Sequence, residues 1–143
     1  MAETEKKTVY TKVTVDTPLA IDFEYWSTKE PNWRTLLSAY LCEEHQAEFA
    51  DEGNPDELID IVDPVTGEVM KKDLLIDRLY SHCSQQEGFV PENGPLTECV
   101  FRVFLSRKNE PADAAELAEI MNKNANTILK TLTSRVFRGI RPV

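Results

Sequence analysis

Hydrophobic positions recur with two different periods along the chain. Val9, Thr11, Val13 and Val15 share one parity over residues 8–15, and Leu19, Ile21, Phe23 and Tyr25 alternate with Ala20, Asp22, Glu24 and Trp26. A period of two predicts half-buried strands, and Asp16-Thr17-Pro18 between the runs predicts a hairpin turn. From Pro31 to Phe49 the period changes. Trp33, Leu36, Leu37, Tyr40 and Leu41 fall at helical spacing, so one continuous amphipathic helix is predicted. A second hairpin is predicted over residues 58–70, turning at Asp63-Pro64-Val65-Thr66-Gly67. Asp73 is a candidate cap for a helix reaching about Gln86, with Leu75, Ile76, Leu79, Tyr80 and Cys83 facing inward.

Residues 88–95 hold two glycines and two prolines and read as a linker. Three helices are predicted beyond it. Thr97 would cap residues 98–107, Asp113 would cap 114–121, and Asn124 or Asn126 would cap a third, at about 125–133, carrying Ile128, Leu129 and Leu132. Residues 135–143 read as extended, with Gly139 as a turn or bulge. The expected fold class is α+β. An acidic α+β domain of β-hairpins and two helices occupies residues 1–90, and a three-helix domain occupies 96–143.

Charge sharpens that division. The 143 residues carry a net charge of -9, yet residues 1–95 sum to -12 and residues 96–143 to +3. Past Glu119 stand Lys123, Lys130, Arg135, Arg138 and Arg141 with no acid among them, which makes a local positive field on an acidic protein. At 41% hydrophobic and 29% charged residues, the composition is that of a globular chain with a core, not a disordered one. No apolar run is long enough to span a bilayer. Residues 1–7 lack the apolar stretch of a secretory signal, and three widely spaced cysteines do not make a disulfide framework. A bacterial-type cytosolic protein is the expectation.

The pair of short helices at 114–121 and 125–133 carries the clearest motif. Ala118 is a small residue where two steeply crossing helices would touch. Asn122 or Asn124 tolerates positive φ in the turn, and Ile128 and Leu129 supply a buried face for the second helix. This pattern resembles the helix-turn-helix motif. Together with the preceding helix and the extended terminus, residues 96–143 resemble a winged-helix domain. That resemblance implies duplex DNA binding and a role in transcription regulation, with the third helix in a major groove. It implies Asn124, Asn126, Thr127, Lys130 and Thr131 on the reading face, and Arg135, Arg138 and Arg141 on phosphates beside a wing. The sequence departs from the pattern at Lys123, where the turn usually holds an apolar residue. Only one strand can follow the third helix before Val143, so a docking strand is expected in place of a true wing. A homodimer would present two such helices to a two-fold site.

The soft-ligand side chains are Cys42, His45, His82, Cys83 and Cys99. Cys42-Glu43-Glu44-His45 places a thiol and an imidazole on one helix face, which is zinc-ligand chemistry. Adjacent residues on a helix diverge by about 100°, so His82 and Cys83 are expected to be alternatives. The candidate metal set is therefore Cys42, His45 and Cys83, with His82 as the substitute for Cys83 and water, Glu43 or Glu44 completing the shell. Cys83 and Cys99 lie on apolar stripes and also suit a core.

No nucleophile elbow, glycine-rich phosphate loop or metalloprotease motif is present, so no enzymatic activity is expected. The competing function class is a protein-interaction or adaptor module, zinc-stabilised and without DNA affinity. Trp26, Trp33 and Tyr40 are its candidate anchors. The placement of residues 123–141 separates the two: one open positive face favours DNA, and arginines paired with the acidic half favour docking within the molecule.

Overall fold

A computed structural model describes residues 13–52 and 58–143. It is α+β, with helices and short antiparallel strands. In chain order the elements are β1 (Leu19–Ile21), α1 (Phe23–Lys29), α2 (Trp33–Ser38), α3 (Glu43–Glu52), β2 (Leu58–Val62), β3 (Val69–Asp73), α4 (Leu74–Ser81), a 3₁₀ turn (Cys83–Gln85), α5 (Leu96–Ser106), α6 (Ala114–Met121), α7 (Ala125–Ser134) and β4 (Ile140–Pro142). No described helix is long and apolar enough to cross a membrane.

The core is built around α5, whose Val100, Phe101, Val103, Phe104 and Leu105 are all buried. A helix apolar on nearly every side must be surrounded. Leu37, Leu75 and Leu79 come to it from one side of the 88–95 linker, and Leu117, Ile128 and Ile140 from the other. Trp26 and Tyr40, candidate partner anchors, are core residues at 2% and 5% exposure. Trp26 packs edge-on against Phe101, and its indole N–H donates to Glu30 at 2.8 Å.

The first predicted hairpin does not form as expected. Part of its first run lies outside the described residues, and in the second only residues 19–21 are strand. Asp22 is the reason: its carboxylate accepts from the Tyr25 N–H at 2.9 Å and starts α1. An alternation this short is shared by a strand and by a capped helix start. β1 pairs instead with β4, Leu19 opposite Pro142 and Ile21 opposite Ile140. Its other edge bonds to Ala112 and to the side chain of Asn109, which both accepts from the Ile21 N–H and donates to the Ile21 carbonyl at 2.8 Å.

The helix predicted over residues 31–49 is interrupted. Tyr40 and Leu41 close short turns onto Leu37 and Ser38, and the chain restarts at Glu43. The Gln46 amide donates to the freed carbonyls of Leu41 at 2.8 Å and Ala39 at 3.3 Å, which stabilises the break. Thr97 is not a cap either: α5 begins at Leu96 behind Pro95, with no side-chain cap. The hairpin β2–β3 forms with Val62 opposite Val69. The caps at Asp73 and Asp113 form as predicted, and of the two candidates Asn124 and Asn126 it is Asn124 that caps α7.

Candidate metal centre

Four side chains from two distant stretches converge beside the core. Cys42 immediately precedes α3 and His45 sits in its first turn, so an i, i+3 pair faces one way. His82 ends α4, and Cys83 opens the 3₁₀ turn. The Cys42 Sγ lies 3.3 Å from His45 Nδ1, 3.5 Å from His82 Nδ1 and 3.5 Å from the Cys83 Sγ. His45 Nδ1 lies 3.2 Å from the Cys83 Sγ. All four ligand atoms fall within 4.8 Å of one another.

This corrects the three-ligand expectation. His82 and Cys83 are not alternatives, because the 100° divergence applies only inside a helix. At His82 the backbone leaves the helix with φ -133° and ψ -64°, and both side chains can then turn to one point. The fourth candidate donor is the His82 imidazole, in the place expected for water, Glu43 or Glu44, both of whose side chains are exposed. Cys99 stands apart, on the wall of a separate cavity of about 440 Å³.

The donor set fits a metal. Tetrahedral zinc, with Zn–S near 2.3 Å and Zn–N near 2.0–2.1 Å, sets donor atoms about 3.3–3.8 Å apart. The four contacts here, from 3.2 to 3.5 Å, are close to that range. His45 is buried at 9% exposure and Cys83 at 1%. Burial pushes the Cys83 thiol up to about 11, so a bound cation is what would hold it as thiolate near neutrality. Two thiolates and two neutral imidazoles would neutralise a divalent ion. Four protein donors leave no open position, which suits a structural rather than a catalytic centre.

The residues expected to contact DNA are placed differently from one another. On α7, Asn126, Thr127 and Lys130 are exposed, Thr131 is half-buried, and Ile128 and Leu132 face the core. The Asn124 carboxamide is engaged as the α7 cap, accepting from the Thr127 N–H at 3.0 Å. Asn122 adopts φ 55° in the turn before α7. Arg135 is exposed. Among the described residues, Lys123, Lys130 and Arg135 make no ion pair.

Arg138 and Arg141 turn back onto the molecule. The Arg138 guanidinium donates to the Tyr40 hydroxyl, lies 3.7 Å from the Glu98 carboxylate, and stacks over Phe137 at 5.0 Å. Burial and the bond to Glu98 raise the Tyr40 phenol well above its ordinary range. Arg141 stacks over Tyr25 at 4.2 Å and reaches Asp22 at 4.0 Å. Neither role was visible in sequence, because their partners lie far away in the chain. Replacing Arg138 with Ala should leave Arg102, 3.4 Å from Glu98 and stacked on Tyr40, as the remaining cation there, and cost about 2 kcal/mol. Thermal melting would show this as a fall of about 6 °C, whereas Lys130→Ala should leave the melting temperature unchanged.

Comparison with protein-family models, with curated proteins and with solved structures gave no match.

Proposed function

We propose that the protein is a zinc-stabilised, duplex DNA-binding module of the winged-helix type, acting in transcription regulation. The observation that carries this reading is the outer face of α7. Asn126, Thr127 and Lys130 point to solvent there, Arg135 follows at its end, and α7 itself contains no acid. Amide and hydroxyl groups suit base edges in a major groove, and the lysine suits guanine or phosphate. Lys123 and Arg135 bracket the helix and would hold phosphates. The turn before α7, with Asn122 left-handed, supports the same reading. Zinc is the metal favoured by two sulfur and two imidazole donors in tetrahedral spacing. When bound, it supplies no reaction; it ties α3 to the end of α4.

The test is mobility of mixed-sequence duplex DNA with the purified protein across a salt series. Retention at low salt that falls steeply with added salt is expected. Lys130→Ala should weaken it and lower the salt slope by about 1. Absence of retention at low salt would overturn the reading.

A second reading is an interaction module without DNA affinity. It is favoured by the inward pairing of Arg138 and Arg141, which removes two of the five terminal cations from an open face. The β2–β3 ribbon would be its contact surface, with Val62, Val65 and Val69 at 59%, 90% and 62% exposure.

A further inference from the structure

We propose that Cys42 and Cys83 are an oxidisable thiol pair, closing to a disulfide under hydrogen peroxide and releasing the metal that they hold. The inference rests on the metal reading for the release, and on geometry alone for the bond. The two Sγ atoms are 3.5 Å apart although the residues are 41 positions apart in sequence. Cys42 lies just before α3 and Cys83 just after α4. Neither sits inside an α-helix, so both backbones can adjust to the shorter S–S distance that a disulfide requires. Cys99 is excluded from the pair, since its Sγ neighbours the Pro91 carbonyl at 3.7 Å on the other cavity.

Exposure assigns the order of events. Cys42 is half-buried and Cys83 is 1% exposed, so peroxide meets Cys42 first. The Cys42 thiolate attacks one peroxide oxygen, the O–O bond breaks, and hydroxide leaves, giving a sulfenic acid on Cys42. The Cys83 thiolate then attacks that sulfur. The S–O bond breaks, a second hydroxide leaves, and the disulfide forms. Two protons from solvent convert both hydroxides to water. The two sulfurs together lose two electrons, and the peroxide gains them. Disulfide sulfur is no longer a thiolate ligand, and His45 and His82 alone cannot hold the ion at its former affinity. The crosslink joins the same two chain segments that the metal joined, so the oxidised protein stays folded while metal-free.

The experiment uses the 143-residue chain as purified. Its zinc content is measured first, and that value alone decides the metal reading. Peroxide is then added in stoichiometric steps, with released zinc followed by a chromophoric chelator and the digest followed by non-reducing mass spectrometry. One Cys42–Cys83 linked peptide per zinc released is expected, with Cys99 remaining a free thiol and reductant restoring zinc uptake. Protein that arrives without metal yet forms the same linked peptide would support the pair and overturn the metal reading. Zinc-loaded protein that yields sulfinic or sulfonic acid, or a crosslink through Cys99, would overturn the pair. Cys83→Ser separates the roles: a sulfenic acid trapped by dimedone on Cys42 is expected. Trapping on Cys83 in the converse Cys42→Ser variant, with none on Cys42 in Cys83→Ser, would reverse the assigned order. Where either variant fails to fold, the wild-type linked peptide still decides the pair.

Discussion

On the metal reading proposed above, a strong chelator should lower the melting temperature by about 10 °C. A ligand present at a thousand times its dissociation constant adds about 4 kcal/mol to the folded state, and for a chain of this size each kcal/mol is worth about 3 °C. The loss falls on a defined region. The proposed metal would tie Cys42 and His45 at the start of α3 to His82 and Cys83 at the end of α4, with the β2–β3 ribbon between them in the chain. The ribbon's main neighbour is α4, and a two-stranded hairpin is marginal on its own. Two ties remain without metal among the described residues: Arg34 on α2 pairs through both terminal nitrogens with Asp73, which also caps α4, and Arg78 on α4 lies 3.8 Å from Glu48 on α3. The apo protein should therefore keep its α5-centred core and lose protection first in α3 and the ribbon. Calorimetry with and without chelator, with hydrogen exchange on both forms, checks this. Unchanged melting and unchanged exchange would remove the structural role assigned to the four ligands.

Gly139→Ala should be the most damaging alanine substitution among the described glycines. Gly139 adopts φ +83°, and a Cβ there would stand 2.7 Å from the Asp22 carbonyl oxygen and 3.0 Å from the Trp26 Cβ. The first contact is with backbone that cannot swing aside, because the Asp22 N–H donates to the Gly139 carbonyl at 2.7 Å. Left-handed backbone costs an L residue about 1–2 kcal/mol, and overpacking adds about 1–3 kcal/mol. A fall of about 10 °C in melting temperature is expected, with loss of the β1–β4 pairing. Gly67→Ala is the control. Gly67 has φ +76° but nothing within 4 Å of its added Cβ, so only the backbone cost should appear. Equal losses at the two sites would show that the close approach to Asp22 contributes nothing.

The candidate metal centre was half legible. Cys42 and His45 were readable as a pair because an i, i+3 spacing is a local statement about one turn. His82 and Cys83 were readable as candidates but not as partners, since their convergence depends on α4 stopping at Ser81. A helix stop one residue earlier or later would point them apart, and no glycine or proline at that position announces it. The outer face of α7 was legible for the same reason as the first pair. Arg138 was not: five terminal cations read as one basic field, while the structure turns Arg138 onto Tyr40 and Glu98 and Arg141 onto Tyr25 and Asp22. Charge counts carry no direction, and side-chain direction is set by what packs nearby.

What the amino-acid sequence determined by itself is local. It includes the β2–β3 hairpin around Asp63–Gly67, the caps at Asp73 and Asp113, an asparagine cap and a left-handed asparagine in the turn at α7, and the apolar faces of α5 and α7. Each depends on residues within a few positions, where hydrogen-bond geometry and rotamer sterics leave few alternatives. Tertiary structure decided the rest. It joined β1 to β4 from the two ends of the described chain, broke the helix between Ser38 and Glu43, and brought two thiols and two imidazoles to one point. The β1–β4 pairing and the four-residue cluster are long-range outcomes selected by burial of one shared core. Apolar burial is non-directional, so the hydrophobic pattern says which faces go inside and not which faces meet.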